Sequence, residues 1–85
     1  MEEALHHLAY TYYEEGKFTE ATALYRFLIM QDMANFSYWL GLGASLFALG
    51  EFEEAEKAFT HATSLNQSDT RPQEFLSLIK NKAYA

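Results

Sequence analysis

With 85 residues, no cysteine, 49% hydrophobic and 16% aromatic side chains, the chain has room for one small domain and enough apolar content to give it a core. A formal net charge of −6, with only six Lys or Arg scattered along the chain, argues against nucleic acid or an anionic membrane surface as partner. Neither a disulfide framework, a thiolate metal site, a secretion signal nor a membrane span can be read in it, so a single cytoplasmic domain over residues 1–85 is expected.

From Glu3 to about Glu15 the apolar residues Leu5, Leu8, Ala9 and Tyr12 recur at helical spacing, not at strand alternation. Gly16 supplies the left-handed turn that ends this helix. A second stripe follows in Phe18, Ala21, Leu24, Tyr25, Leu28 and Ile29, and ends near "QDMAN", where Asn35 is placed to cap a third helix. Trp39, Leu42, Gly43 and Leu46 carry that third helix, and Gly50 stops it. Phe52, Ala55, Ala58, Phe59, Ala62 and Leu65 form a fourth stripe. After the polar loop "NQSD", Thr70 is expected as N-cap of a fifth helix, with Pro72 in its first turn and Gln73 closing a capping box. Leu76, Leu78 and Ile79 would carry it to Ala85, where a third hairpin should turn.

The stretches "YYEEGKFTEA" and "LFALGEFEEA" say the same thing twice. Gly16 falls on Gly50, Phe18 on Phe52, Glu20 on Glu54 and Ala21 on Ala55, a period of 34 residues. Repeat one is expected over about 2–35, repeat two over about 36–69, and a capping or truncated third-repeat helix over about 70–85. Ala21 and Ala55 stand where the two helices of each hairpin must approach closely, since a larger side chain would push the backbones apart. One helical hairpin is written twice because neither copy can bury its apolar face alone.

These residues resemble the tetratricopeptide repeat, a 34-residue helix–turn–helix unit. Leu5, Leu8, Ala9, Tyr12, Gly16, Ala21 and Tyr25 fall on its signature positions in the first copy. Trp39, Leu42, Gly43, Leu46, Gly50, Ala55, Phe59 and Ala62 do so in the second. Leu28 replaces a usual small residue, and Met33 and Gln67 stand where proline is usual. The fold class implied is all-α: an α-solenoid of two helix–turn–helix repeats plus a C-terminal helix. A narrower likeness, carried by "RFL" before an aspartate, by "GLGA" and by "DTRP", is to the class II chaperones of type III secretion. Those proteins hold translocator subunits in the cytosol before export. They carry an N-terminal helical segment and three repeats, where this chain has two and a fraction.

Stacked hairpins curve, and the first helix of each lines the concave face. The repeat register puts Glu3, His6, Tyr10, Tyr13 and Glu14 there from the first copy, with Ser37, Leu40, Ala44, Phe47 and Ala48 from the second. His6, Tyr10, Tyr13, Leu40, Ala44 and Phe47 are the candidate peptide-binding residues. Apolar side chains of an extended peptide suit such a surface, with tyrosine hydroxyls free to bond its backbone. The resemblance implies an extended, proline-punctuated apolar segment of a secreted translocator as the client. The same tyrosines could instead pack on an N-terminal helix or a dimer mate, which would make the chain an assembly scaffold. A clamp for a partner's C-terminal carboxylates is not expected, because His6, Tyr10, Leu40 and Ala44 occupy the positions where Lys, Arg and Asn would be needed.

Catalysis has little support, and neither a cofactor nor a metal is expected. His6 and His7 point about 100° apart on a helix and cannot chelate one ion together. Glu3 and His7 would supply only two ligands. His61 stands alone, and Glu51, Glu53, Glu54 and Glu56 read as a solvated face. Phe27, Met30, Met33 and Phe36 cluster at the junction of the two repeats, where inter-repeat core is usual. Any part of that cluster left exposed would be an adaptable contact surface for a homodimer or another partner.

Overall fold

The computed structural model describes residues 1–83, which form five helices: α1 (Glu2–Glu14), α2 (Phe18–Gln31), α3 (Phe36–Ala48), α4 (Phe52–Leu65) and α5 (Arg71–Ala83). No strand occurs among the described residues. Adding 34 to the bounds of α1 and α2 returns those of α3 and α4. The expected end of the fifth helix at Ala85 lies outside the described residues.

The hairpin turns are duplicates. Gly16 and Gly50 take φ of 78° and 80°, the left-handed region open to glycine at little steric cost. There the amide of Lys17 donates to the Tyr12 carbonyl at 2.8 Å, and the amide of Glu51 to the Leu46 carbonyl at 2.9 Å. The glycine amides themselves close the inner bond, to Tyr13 at 3.1 Å and to Phe47 at 3.0 Å. Both orphan carbonyl pairs are thus satisfied at each helix end. Asn35 caps α3 as expected, its side-chain oxygen accepting from the Tyr38 amide at 3.3 Å.

The start of α5 departs from expectation. It begins one residue beyond the 34-residue register, and the expected partner of the Thr70 cap, Gln73, is replaced by its neighbour. The Thr70 hydroxyl donates to the Glu74 carboxylate at 3.1 Å, while Asp69 accepts from the Arg71 amide at 3.0 Å. A carboxylate one position before Thr70 is a stronger acceptor for the first-turn amides, so it displaces the expected box. Pro72 is fully buried in that first turn.

Successive helices pack on one another in chain order, and α1 also reaches α3. The core runs along the seam as Ala9, Ala21, Tyr25, Leu28, Ile29, Tyr38, Leu42, Ala44, Leu46, Ala55, Ala58, Phe59 and Ile79. Ala21 and Ala55 are both completely buried, as close approach of the helices requires. Ala55→Leu is therefore expected to overpack the second hairpin and cost about 1–3 kcal/mol. A urea-unfolding midpoint equal to that of the parent chain would refute it.

Two expectations about burial fail. Leu8, placed on the apolar stripe of α1, is 39% exposed, while its neighbour Ala9 is completely buried. Phe27, Met30 and Met33 do not form inter-repeat core: Met30 is 76% and Met33 65% exposed. The inter-repeat contact is made instead by Tyr38, which is buried and whose hydroxyl donates to Glu2 at 3.1 Å, and by Trp39, whose indole N–H donates to the Met33 carbonyl at 2.8 Å. Across the surface, Arg26 of α2 pairs with Glu54 of α4 at 2.8 Å, a half-exposed bridge that adds little.

Candidate functional site

A cavity of about 600 Å³ opens on the face where α1 and α3 lie side by side, within the size range of sites that hold ligand groups. His6, Tyr10 and Tyr13 line it from α1, and Leu40, Gly41 and Ala44 from α3. Tyr25 reaches it from α2, and Arg71 and Phe75 from α5. Helical spacing explains the walls: residues three or four apart share a face, so Glu3, His6, Tyr10 and Tyr13 form one stripe and Ser37, Leu40, Gly41 and Ala44 the other.

Five of the six residues singled out from the sequence line this cavity. Phe47 is not among its lining residues. Its ring packs edge-on against Phe52 at 5.4 Å and Phe75 at 5.3 Å. The same pairing occurs one repeat earlier between Tyr13 and Phe18, at 5.5 Å. In the first copy the position matching Phe75 is Gly41, which has no side chain, and Tyr13 stays in the groove wall. In the second copy Phe75 comes in from α5 and takes the groove position in front of Phe47.

The aromatic side chains are held at defined angles. Tyr10 and Tyr13 stack with centroids 6.5 Å apart. His6 stands edge-on between Tyr25 at 5.9 Å and Tyr38 at 5.1 Å. Partial burial there disfavours the imidazolium and holds the His6 pKa below its ordinary value. The phenol of Tyr10, half exposed, is pushed up by the Glu14 carboxylate beside it. Arg71 is the one basic residue with a permanent charge in the lining. Asp69 braces it at 2.8 Å and holds its own carboxyl below the usual range in doing so, while the guanidinium lies 5.8 Å over the Phe36 ring. The walls are thus mainly aromatic and aliphatic, with acidic Glu3 among the α1 residues and Arg71 on α5.

His7, Tyr25, Gly41, Arg71 and Phe75 also line the cavity and were missed in the sequence. Phe75 lies 34 residues after Gly41, a position that the register had not assigned to the groove, so repetition gave no signal for it. Tyr25 carried no signal either, because its stripe marks it as core. His61, read as solitary, sits with its ring centroid 4.1 Å from that of Trp39, away from the cavity lining. No group of three or more potential metal ligands occurs among the described residues.

The family model of the tetratricopeptide repeat matches residues 12–79. The chain belongs to the tetratricopeptide repeat family. Within that family it is similar to the chaperone protein SicA of Salmonella typhimurium, with 33% identity over 72 residues, 85% of this chain and 44% of SicA. It therefore spans less than half the length of that relative. The Yersinia enterocolitica translocator chaperone SycD, solved with a peptide of the translocator YopD, superposes with a TM-score of 0.81 at 27% identity, over 82% of this chain and 53% of SycD. The fold alone is shared with the first tetratricopeptide domain of Spaghetti (RPAP3), at a TM-score of 0.95 and 20% identity over 100% of this chain and 68% of that one. No helix among the described residues is long and apolar enough to cross a membrane.

Proposed function

We propose that the chain is a cytosolic chaperone of type III secretion that holds an extended apolar segment of a translocator client in the groove between α1 and α3. The observation that carries this reading is the make-up of the groove: Tyr10, Tyr13, Leu40 and Ala44 set apolar surface and phenol hydroxyls side by side on one concave face. An extended segment offers alternate side chains to such walls and leaves backbone groups to be met by hydroxyls. The similarity to SicA and to SycD, itself solved with a translocator peptide, supports the client class. Covering the segment would keep it from aggregating until export. The task is binding, with no bond made or broken.

A fluorescein-labelled set of extended, proline-containing apolar peptides tests this by anisotropy. Tyr10→Ala is expected to weaken the best binder about tenfold, since truncating an aromatic anchor typically costs over 1 kcal/mol. Phe47→Ala is expected to lower stability by about 2 kcal/mol yet bind normally once folded, because Phe75 stands between it and the groove. If no peptide binds, and Tyr10→Ala changes the oligomeric state instead, the chaperone reading fails.

A second reading, a scaffold that assembles as a homodimer, draws on a different face. Phe27, Met30 and Met33 expose apolar surface at the end of α2, and methionine-rich surfaces repack readily on a partner. Sedimentation showing a monomer at all concentrations would remove it.

A further inference from the structure

The Tyr25 ring is buried at only 2% exposure, yet Tyr25 belongs to the groove lining. Both facts hold because of Gly41. A Cβ at position 41 would run into Cζ of the Tyr25 ring and lie 2.7 Å from its Cε2, so the hydroxyl end of the ring occupies the space that any other residue of α3 would fill. One repeat later the arrangement closes. Phe59 holds the place of Tyr25, and Phe75, 34 residues after Gly41, covers it with a ring stacked at 4.5 Å and 8°. The pit beside Gly41 is therefore open in the first repeat and plugged in the second.

At the open pit the Tyr25 hydroxyl makes no hydrogen bond to any described residue. The Tyr10 and Tyr13 phenols stand in the same groove lining. Burial pushes the pKa of the Tyr25 hydroxyl up to about 12, so it keeps its proton and stays a donor. Among the described residues only Thr22 Oγ1 is a buried side-chain polar atom without a partner, so the Tyr25 hydroxyl still meets water in the groove, and an acceptor arriving there can take that water's place.

We propose that Tyr25 is a further client-binding residue of the groove: its hydroxyl, set in the floor by Gly41 and flanked by His6, donates a hydrogen bond to a backbone carbonyl of the bound client segment. The inference rests on the groove reading above and names the backbone contact within it. A carbonyl suits the site better than a carboxylate, because Glu3 and Glu14 lie on the α1 stripe and the chain is acidic overall. An extended segment also turns carbonyls toward the floor at intervals, and each one buried needs a donor. Because the ring is locked from below, the donor is aligned before the client arrives, and little freedom is lost on binding.

Tyr25→Phe tests this with the ring and its packing kept. With the tightest binder of the labelled peptide set, Kd is expected to rise about five- to tenfold, while the urea-unfolding midpoint stays or rises. Gly41→Ala, which displaces the ring, is expected to lose at least as much affinity. Esters substituted one at a time into the peptide backbone weaken one carbonyl acceptor each. One position is expected to lose affinity in the parent chain and not in Tyr25→Phe. An unchanged Kd in Tyr25→Phe overturns the assignment and leaves the groove reading standing. A raised Kd in Tyr25→Phe without any ester-sensitive position overturns it as well, since the hydroxyl then meets no backbone acceptor. If no peptide binds the parent chain, the groove reading falls and this inference falls with it.

Discussion

Phe59→Ala is expected to remove about 3–5 kcal/mol of stability, the range for truncating a fully buried phenylalanine. A domain of this length holds about 4–13 kcal/mol in total, so much of its margin would go. The reason is local and severe. Phe59 has no exposed surface, Phe75 stacks on one face of its ring, and the α3 backbone lies against it so closely that a Cβ at Gly43 would come 2.6 Å from Cε1. None of these neighbours is free to collapse into the space: α3 and α4 are joined by the short turn at Gly50, and α5 is placed by the same ring. The loss should therefore include the cavity as well as the transfer of the ring. Urea unfolding followed by helical circular dichroism measures it, with Phe27→Ala as the control at a site 46% exposed. A change at Phe59 no larger than that at Phe27 would show that α4 and α5 repack freely and that the stack is not what joins them.

Leu40→Asp is expected to weaken peptide binding about 30- to 150-fold, or roughly 2–3 kcal/mol, with a smaller loss of folding stability because Leu40 packs only partly against the core. The asymmetry comes from where Leu40 sits. It is half-buried on the groove wall, so in the free chain a carboxylate there would stay hydrated. An apolar segment laid over it would strip that water and offer no counter-charge. Arg71 in the same lining is already engaged by Asp69, at 2.8 Å. Leu40→Met, close in volume and apolar, is the matched control and should bind within a few-fold of the parent. Anisotropy with the same labelled peptide distinguishes them. Equal binding by the aspartate and methionine variants would place the client elsewhere than on this wall.

What the sequence determines by itself is everything that depends on local geometry and on repetition. The periodic apolar positions set four helices, Gly16 and Gly50 set two identical turns, Asn35 sets a cap, and Ala21 and Ala55 mark the closest approach of paired helices. Each follows from a preference that operates within a few residues, and a 34-residue period then states it twice. His6, Tyr10, Tyr13, Leu40 and Ala44 on the groove face are legible for the same reason, since helical register decides which way a side chain points, while Gly41, with no side chain, and Phe47, placed there in error, are not.

Other features were decided only by the tertiary structure. Whether Phe47 faces the groove depends on Phe75, a residue on another helix whose approach no pattern near Phe47 records. Whether Tyr25 is core or groove depends on the missing Cβ at Gly41, on a third helix. Leu8 and Met30 look apolar enough to be buried and are not, while Ala9 and Tyr38 are. For Phe47 and Tyr25 the outcome is a competition for one volume with residues far away in sequence. Only the packed chain settles which of them fills it.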